Sequence, residues 1–232
     1  INGSGKSPSL MPNSLDGEIP SVGWLPVTVP GAVATWIMLH ERFGNLTLSQ
    51  IVSPAISYAR NGFLVSTQTA QRWQSGTDRF RGEQSWCETF LFDGKPPEVG
   101  QYITLPDHAN TLEEIAQTNG ASFYTGDLAQ QIDKAAKEGG GFLRKEDLAA
   151  HESSWVTPLS IDVGGATFYE LPPNGQGIAA LIAMKIVQEM GADLSQCDNP
   201  NVLHIQIEAM KRAFADAHTF VADPEISGDC CD

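Results

Sequence analysis

No run of 18 apolar residues occurs in these 232 residues, so no helix is expected to cross a membrane. Positive charge is scarce: 14 lysines and arginines face 28 aspartates and glutamates, a formal net charge of −14 at pH 7. Such a chain is repelled by polyphosphate, which argues against nucleic acid and anionic membrane surfaces as partners. Cysteine is also scarce. Cys87, Cys197, Cys230 and Cys231 include no pair at zinc-ligand spacing and are too few for a disulfide framework at this length. They read as free thiols of a reducing compartment. No G-x-S-x-G elbow, complete phosphate loop or H-E-x-x-H pair is present, which removes the commonest local signatures of hydrolases, nucleotide binders and zinc proteases. The first eight residues, Ile1 to Pro8, do not read as a signal peptide and lack a starting methionine. They read as the middle of a longer protein.

What is present suffices for a core. Hydrophobic residues make up 41% of the chain, an ordinary globular share. Residues 1–26 read as extended segment and loop, and Val27-Thr28-Val29 as a short strand ended by Pro30-Gly31. A helix is expected over Ala32–Phe43, closed by Gly44. A second, capped by Thr47, carries Leu48, Ile51, Val52, Ala55, Ile56 and Ala59 at helical spacing and ends at Gly62. Ser66–Trp73 reads as helical and residues 75–105 as irregular. Thr111 reads as the cap of a helix to Gln117 with Glu114 completing a capping box, and 123–126 as a turn. Asp127–Glu138 follows as a helix stopped by Gly139-Gly140-Gly141, then a helical turn over Lys145–Ala150.

From Trp155 the period becomes two. Leu159, Ile161 and Val163 alternate with Ser160 and Asp162, Gly164-Gly165 signals a hairpin, and Ala166–Leu171 returns. Pro172-Pro173 cannot extend a ladder, so the strand stops there. Asn174 reads as the cap of a helix, apolar on most sides, over Ile178–Met190. A last helix spans Asn201 to Val221, with Leu203, Ile207, Met210, Phe214, Ala217 and Val221 as its apolar stripe and Glu208 paired to Arg212. Helices, a hairpin and two more helices make an α+β layered fold.

Chemistry-bearing residues are sparse. Gly3-Ser4-Gly5-Lys6 is a fragment of a phosphate loop without the preceding strand. Glu146 and Asp147 are adjacent carboxylates, but they open a helix, where negative charge is favourable anyway, and neighbours point to different sides. His40, His108, His151, His204 and His218 are scattered and suggest no metal set. Asn174-Gly175-Gln176-Gly177 is a polar glycine-rich turn at a helix start: either an anion site built of backbone N–H groups or a tight connection.

Taken in order, these segments resemble the γ-glutamyltranspeptidase family of N-terminal-nucleophile hydrolases. Val27 to Trp36 resembles its V-P-G-x-V-A helix entry, Leu46 to Phe63 its run ending A-R-x-G-F, and Phe123 to Gly126 its F-Y-x-G. Gly140 to Leu148 resembles G-G-x-I/L-T-x-E-D-L, Leu171 to Gly177 the P-P turn, and Glu208 to Pro224 the E-A-x-K-x-A-F/Y-A-D helix with its D-P tail.

The resemblance implies part of an N-terminal-nucleophile αββα sandwich, with residues 1–232 forming a large-subunit region incomplete at its N-terminus and at its C-terminus. It implies a precursor that cleaves itself, freeing a small subunit whose N-terminal threonine attacks an amide with its own α-amine as base. That nucleophile is not in this chain, so no catalytic residue is expected here. The partners implied are the small subunit and a small-molecule amide or γ-glutamyl substrate. No metal or organic cofactor is implied. The alternative is a catalytically silent scaffold or binding subunit of the same fold.

Two departures matter. Where γ-glutamyl enzymes carry an Arg-Glu pair, the arginine clamping the substrate's α-carboxylate, this chain has Ser4 and Gly5, counted back from Pro8. That points to the divergent branch of oxamate amidohydrolases and acylases, with Ser4, Gly5 and Lys6 as candidate substrate contacts. The second is the tail, where Gly228-Asp229-Cys230 resembles a processing junction with almost nothing after it. It reads as a truncated or processed end.

Overall fold

Gly31 and Gly44 bracket α1 (Ala32–Phe43) at the limits the sequence predicts. The structure is a computed structural model and describes residues 1–12, 14–15, 17–196 and 198–223. Its chain divides into two compact units, one of residues 3–153 and one of residues 1–2 and 154–232.

In the first unit, α2 (Leu48–Asn61) opens on the expected Thr47 cap. Gln50 N–H donates to Thr47 Oγ1 at 3.3 Å, and Thr47 N–H donates to Gln50 Oε1 at 2.9 Å, a complete capping box. Gly62, at φ 98°, ends the helix. β1 (Phe63–Leu64) pairs antiparallel with β2 (Tyr102–Ile103). Between them lie α3 (Thr67–Phe80) and α4 (Gln84–Phe90).

The helix expected over 66–73 therefore runs seven residues further, and the segment expected to be irregular contains a helix and a strand. The segment is rich in polar residues and glycine, and aromatic contacts between α3 and α4 hold the two helices together. Trp73 meets the edge of Phe90 at 5.9 Å and donates its indole N–H to the Phe90 carbonyl at 2.8 Å.

α5 (Pro106–Gln117) begins five residues before the expected Thr111 cap. Pro106 supplies the first helical φ and lacks the N–H that would be orphaned, so it starts the helix, and Thr111 is interior. Glu114 is in no capping box; its carboxylate accepts from the Ser122 hydroxyl. The expected turn at 123–126 is a short helix, α6 (Ala121–Thr125). α7 (Asp127–Glu138) and α8 (Lys145–Ala149) lie where predicted. Val27–Val29 forms no strand. Pro26 and Pro30 flank it without N–H groups, and its one ladder-like bond runs from Val29 N–H to the Lys6 carbonyl at 3.0 Å.

Val29, Ala129, Ala136, Leu143 and Leu148 make one core cluster, backed by Trp24. Val33, Ile115 and Leu128 make a second, with Phe123 and Tyr124 against it. The Gly139-Gly140-Gly141 run does more than stop α7. Gly140 takes φ 73°, while a Cβ on Gly139 or Gly141 would strike Trp24.

The second unit contains the hairpin β3 (Leu159–Val163) and β4 (Ala166–Glu170), registered from Leu159↔Glu170 to Val163↔Ala166. Gly164 and Gly165, both at positive φ, form the turn. α9 (Gly177–Glu189) begins beyond the Pro-Pro pair, and α10 (Pro200–Phe220) is capped by Asn199.

The cap of α9 is Gln176, not Asn174, and no side chain completes it. The stripe predicted for α10 holds at Ala217 and Val221 but fails at Leu203, Ile207, Met210 and Phe214. Leu203 is 43% exposed and Ile207 59%, whereas Ala209 and Ala213, at 1% and 0%, meet Ala179, Ala183 and Val187 of α9. Small residues let the two backbones come close, so the alanine face is the seam although the larger side chains are the more hydrophobic. Glu208 pairs with Lys211 at 2.6 Å rather than with Arg212. The class is α+β as expected: helices with, among the described residues, two small antiparallel sheets. No helix among these residues is long and apolar enough to cross a membrane.

Candidate functional site

Ser4, Gly5 and Lys6 lie on an extended segment whose backbone is held closely. Gly5 abuts the carbonyl of Val29, leaving no room for a Cβ, and the Lys6 carbonyl accepts from Val29 N–H. A Cβ on Gly3 would collide with Thr35 Oγ1, and one on Gly31 with the Gly3 carbonyl. The glycines of the apparent phosphate loop therefore allow segment 3–6 to lie against Val29–Gly31; they do not form a phosphate cradle. The Ser4 and Lys6 side chains stay exposed.

Around Gly31 the structure gathers residues the sequence keeps far apart. Tyr124, from the F-Y-x-G segment, donates its hydroxyl hydrogen to the Pro30 carbonyl and accepts from Ala34 N–H, both at 2.9 Å. Ala34 belongs to the first turn of α1, whose N–H groups have no intrahelical partner, and the α1 cap, Gly31, has no side chain to supply one. Tyr124 caps α1 from 90 residues away. Burial raises its pKa, and the Ala34 N–H bond counters this in part.

The Tyr124→Phe variant is expected to lose about 1–3 kcal/mol, because it strands a donor and an acceptor together. Urea denaturation checks this; an unchanged midpoint would contradict the cap.

His151 stacks on Tyr124, centroids 5.5 Å apart and planes 18° from parallel. Its Nε2 lies 3.4 Å from Ser153 Oγ, which lies 3.4 Å from Thr35 Oγ1. Thr35 donates to the Gly31 carbonyl at 3.0 Å. Burial lowers the His151 pKa and favours the neutral ring. Sequence reasoning weighed His151 as one scattered histidine and did not single out Thr35 or Ser153. The family-like V-P-G-x-V-A and F-Y-x-G patterns marked this corner, without linking the two.

The other candidates separate. Asp147 is a local cap: its carboxylate accepts from Arg144 N–H at 2.8 Å and Ser9 N–H at 2.9 Å, so it forms no acid/base pair with Glu146. His40 bonds the Leu46 carbonyl at 2.6 Å, His108 meets the edge of Phe90, and His218 lies beside Phe214. Among the described residues no three His, Cys, Asp or Glu side chains gather as a metal set. At the polar turn, the carboxylate of Glu170 lies against Gly177, the first residue of α9, where a Cβ would strike it. A cavity of about 270 Å³ opens beside α7 and α8, lined by Tyr124, Gln130, Lys145 and Glu146 among others. The junction-like Gly228-Asp229-Cys230 lies outside the described residues.

The family model described as gamma-glutamyltranspeptidase matches residues 2–229. The glutathione hydrolase-like YwrD proenzyme of Bacillus subtilis is 31% identical over 200 residues, 85% of this chain and 38% of its own length. Among solved structures, the cephalosporin acylase from Bacillus halodurans superposes with a TM-score of 0.91 at 41% identity, over 98% of this chain and 44% of its own. The Helicobacter pylori gamma-glutamyltranspeptidase gives 0.87 at 29% identity, over 99% of this chain and 68% of its own. The chain thus spans well under half the length of that curated relative.

Proposed function

The chain belongs to the gamma-glutamyltranspeptidase family, and from that premise we propose that it is the large-subunit part of an N-terminal-nucleophile amidohydrolase that cleaves or transfers an amide-linked acyl group. The nucleophile is a threonine at the start of a small subunit from the same precursor, outside this chain. Its hydroxyl attacks the amide carbonyl while its α-amine takes the proton; the C–N bond breaks, the amine leaves with that proton, and the acyl group then passes from the threonine oxygen to water or to an acceptor amine. This chain supplies binding surface, with Ser4, Gly5 and Lys6 facing the acyl group. No metal or organic cofactor enters the scheme.

One observation carries the substrate preference. The closely held segment presents Ser4 where γ-glutamyl enzymes present an arginine, and no guanidinium follows it before Pro8. A serine hydroxyl makes one neutral hydrogen bond where a guanidinium grips a carboxylate with two charged ones. Lys6 adds a point charge without that direction. The preferred substrate is accordingly a small carboxylated amide, such as oxamate, rather than a γ-glutamyl peptide. The fold match to a cephalosporin acylase at 41% identity supports the same branch.

Two measurements test this. Mass spectrometry of the purified precursor should find a second, smaller chain beginning with threonine; the large chain alone would count against the enzyme. Steady-state assays should give kcat/KM for γ-glutamyl-p-nitroanilide on the order of tenfold to a hundredfold below that for oxamate, the difference a charged hydrogen-bond pair makes. Robust γ-glutamyl turnover would overturn the preference.

A further inference from the structure

Two routes run from His151 to the two consecutive backbone carbonyls of Pro30 and Gly31. One passes through the stacked ring of Tyr124, whose hydroxyl hydrogen goes to the Pro30 carbonyl. The other passes through Ser153 and Thr35 to the Gly31 carbonyl. A carbonyl only accepts, so Thr35 spends its proton on Gly31 and keeps lone pairs for Ser153. Ser153 has one proton. Sent to Thr35, it leaves Ser153 to accept from His151 Nε2–H, and all three contacts become hydrogen bonds running the same way. Sent instead to His151, it would leave two lone pairs facing each other between Ser153 and Thr35. The first arrangement is therefore the stable one, with the imidazole proton on Nε2.

The two routes meet where the candidate substrate segment is held. Gly31 lies against the Gly3 carbonyl, with His151 Nε2 within 2.8 Å of the place a Gly31 Cβ would take. Two residues on from Gly3, Gly5 is pressed on the Val29 carbonyl. The backbone over Val29–Gly31 is thus in direct contact with residues 3–6.

We propose that His151 is a positioning residue: through Tyr124 on one side and Ser153 and Thr35 on the other, it fixes the consecutive carbonyls of Pro30 and Gly31, and so the height at which Ser4 and Lys6 meet substrate. The proposal rests on the reading that Ser4, Gly5 and Lys6 contact the acyl group. The two 3.4 Å contacts are long for hydrogen bonds, so neither holds these carbonyls alone, and the ring stack shares the task.

The test uses the full processed protein. His151→Phe keeps a ring over Tyr124 and removes both nitrogens, while His151→Gln restores an N–H donor. His151→Phe is expected to raise KM for oxamate about tenfold with kcat within about twofold of wild type, the size of one lost polar contact on the binding side, and His151→Gln to recover most of it. In the same proteins, amide exchange at Val29, whose N–H is bonded to the Lys6 carbonyl, should quicken severalfold in the phenylalanine variant and slow again in the glutamine variant. Should His151→Phe fail to fold, Ser153→Ala cuts the hydroxyl route while leaving the stack, and the same shifts are expected at smaller size. Wild-type KM with unchanged Val29 exchange, or equal losses in the Phe and Gln variants, would overturn the proposal. If the wild-type protein hydrolyses no amide, the functional reading fails, and the exchange measurement still decides the role of His151.

Discussion

Gly31→Ala is expected to cost about 3 kcal/mol or more, the upper range for overpacking against a part that cannot yield. The added methyl would collide above all with the backbone carbonyl of Gly3, which cannot swing away, and would also crowd His151 Nε2. Gly31 is buried and its φ is −94°, so the penalty is steric and owes nothing to glycine's left-handed freedom. For a unit of this size, that loss corresponds to roughly 6–12 °C in Tm. Gly82→Ala is the control. Nothing lies within 4 Å of its added methyl, and its stability should stay within about 0.5 kcal/mol of wild type. Scanning calorimetry of the two variants side by side decides the matter: equal melting temperatures would mean that Gly3 and Gly31 are not in contact. The same variant should also disturb substrate binding, because the wall that moves is the one against which residues 3–6 lie.

The second large effect lies in α10. Ala213→Leu is expected to destabilise by about 1–3 kcal/mol, because Ala213 is 0% exposed and its neighbours on α9 are themselves close-packed. Phe214→Ser, one position on, should change stability by no more than about 0.5 kcal/mol, since Phe214 points away from that seam and is 37% exposed. Periodicity alone predicts the reverse, because it places Phe214 in the stripe and leaves Ala213 out. Urea unfolding of the two variants therefore discriminates between the α10 face read from spacing and the face the structure buries. A greater loss for Phe214→Ser would restore the first.

The α10 error has a specific origin. Hydrophobic spacing finds which side chains prefer to leave water, and Leu203, Ile207, Met210 and Phe214 qualify. It does not find which face another helix approaches. With Ala179 and Ala183 on α9, close approach is open only to a partner face as small as they are, and Ala209, Ala213 and Ala217 provide it. The α5 error is similar: Thr111 and Glu114 fit a cap pattern, but Pro106 had already started the helix and Glu114 was claimed by Ser122.

Where the determinants lie within a few residues, the sequence by itself was sufficient. The ends of α1, the Thr47–Gln50 box, the Gly62 stop, the limits of α7 and the Gly164-Gly165 hairpin are local matters of backbone freedom and hydrogen-bond partners, and each lies where it was read. The order of these pieces was also enough to recognise the family. Only the tertiary structure decided what surrounds Gly31. Thr35 and Ser153 are 118 residues apart, Tyr124 and Pro30 are 94 apart, and no spacing rule links them. Their contacts exist because packing brings α1 and the 151–153 segment onto Tyr124, a choice made by the core and not by any residue's own propensity.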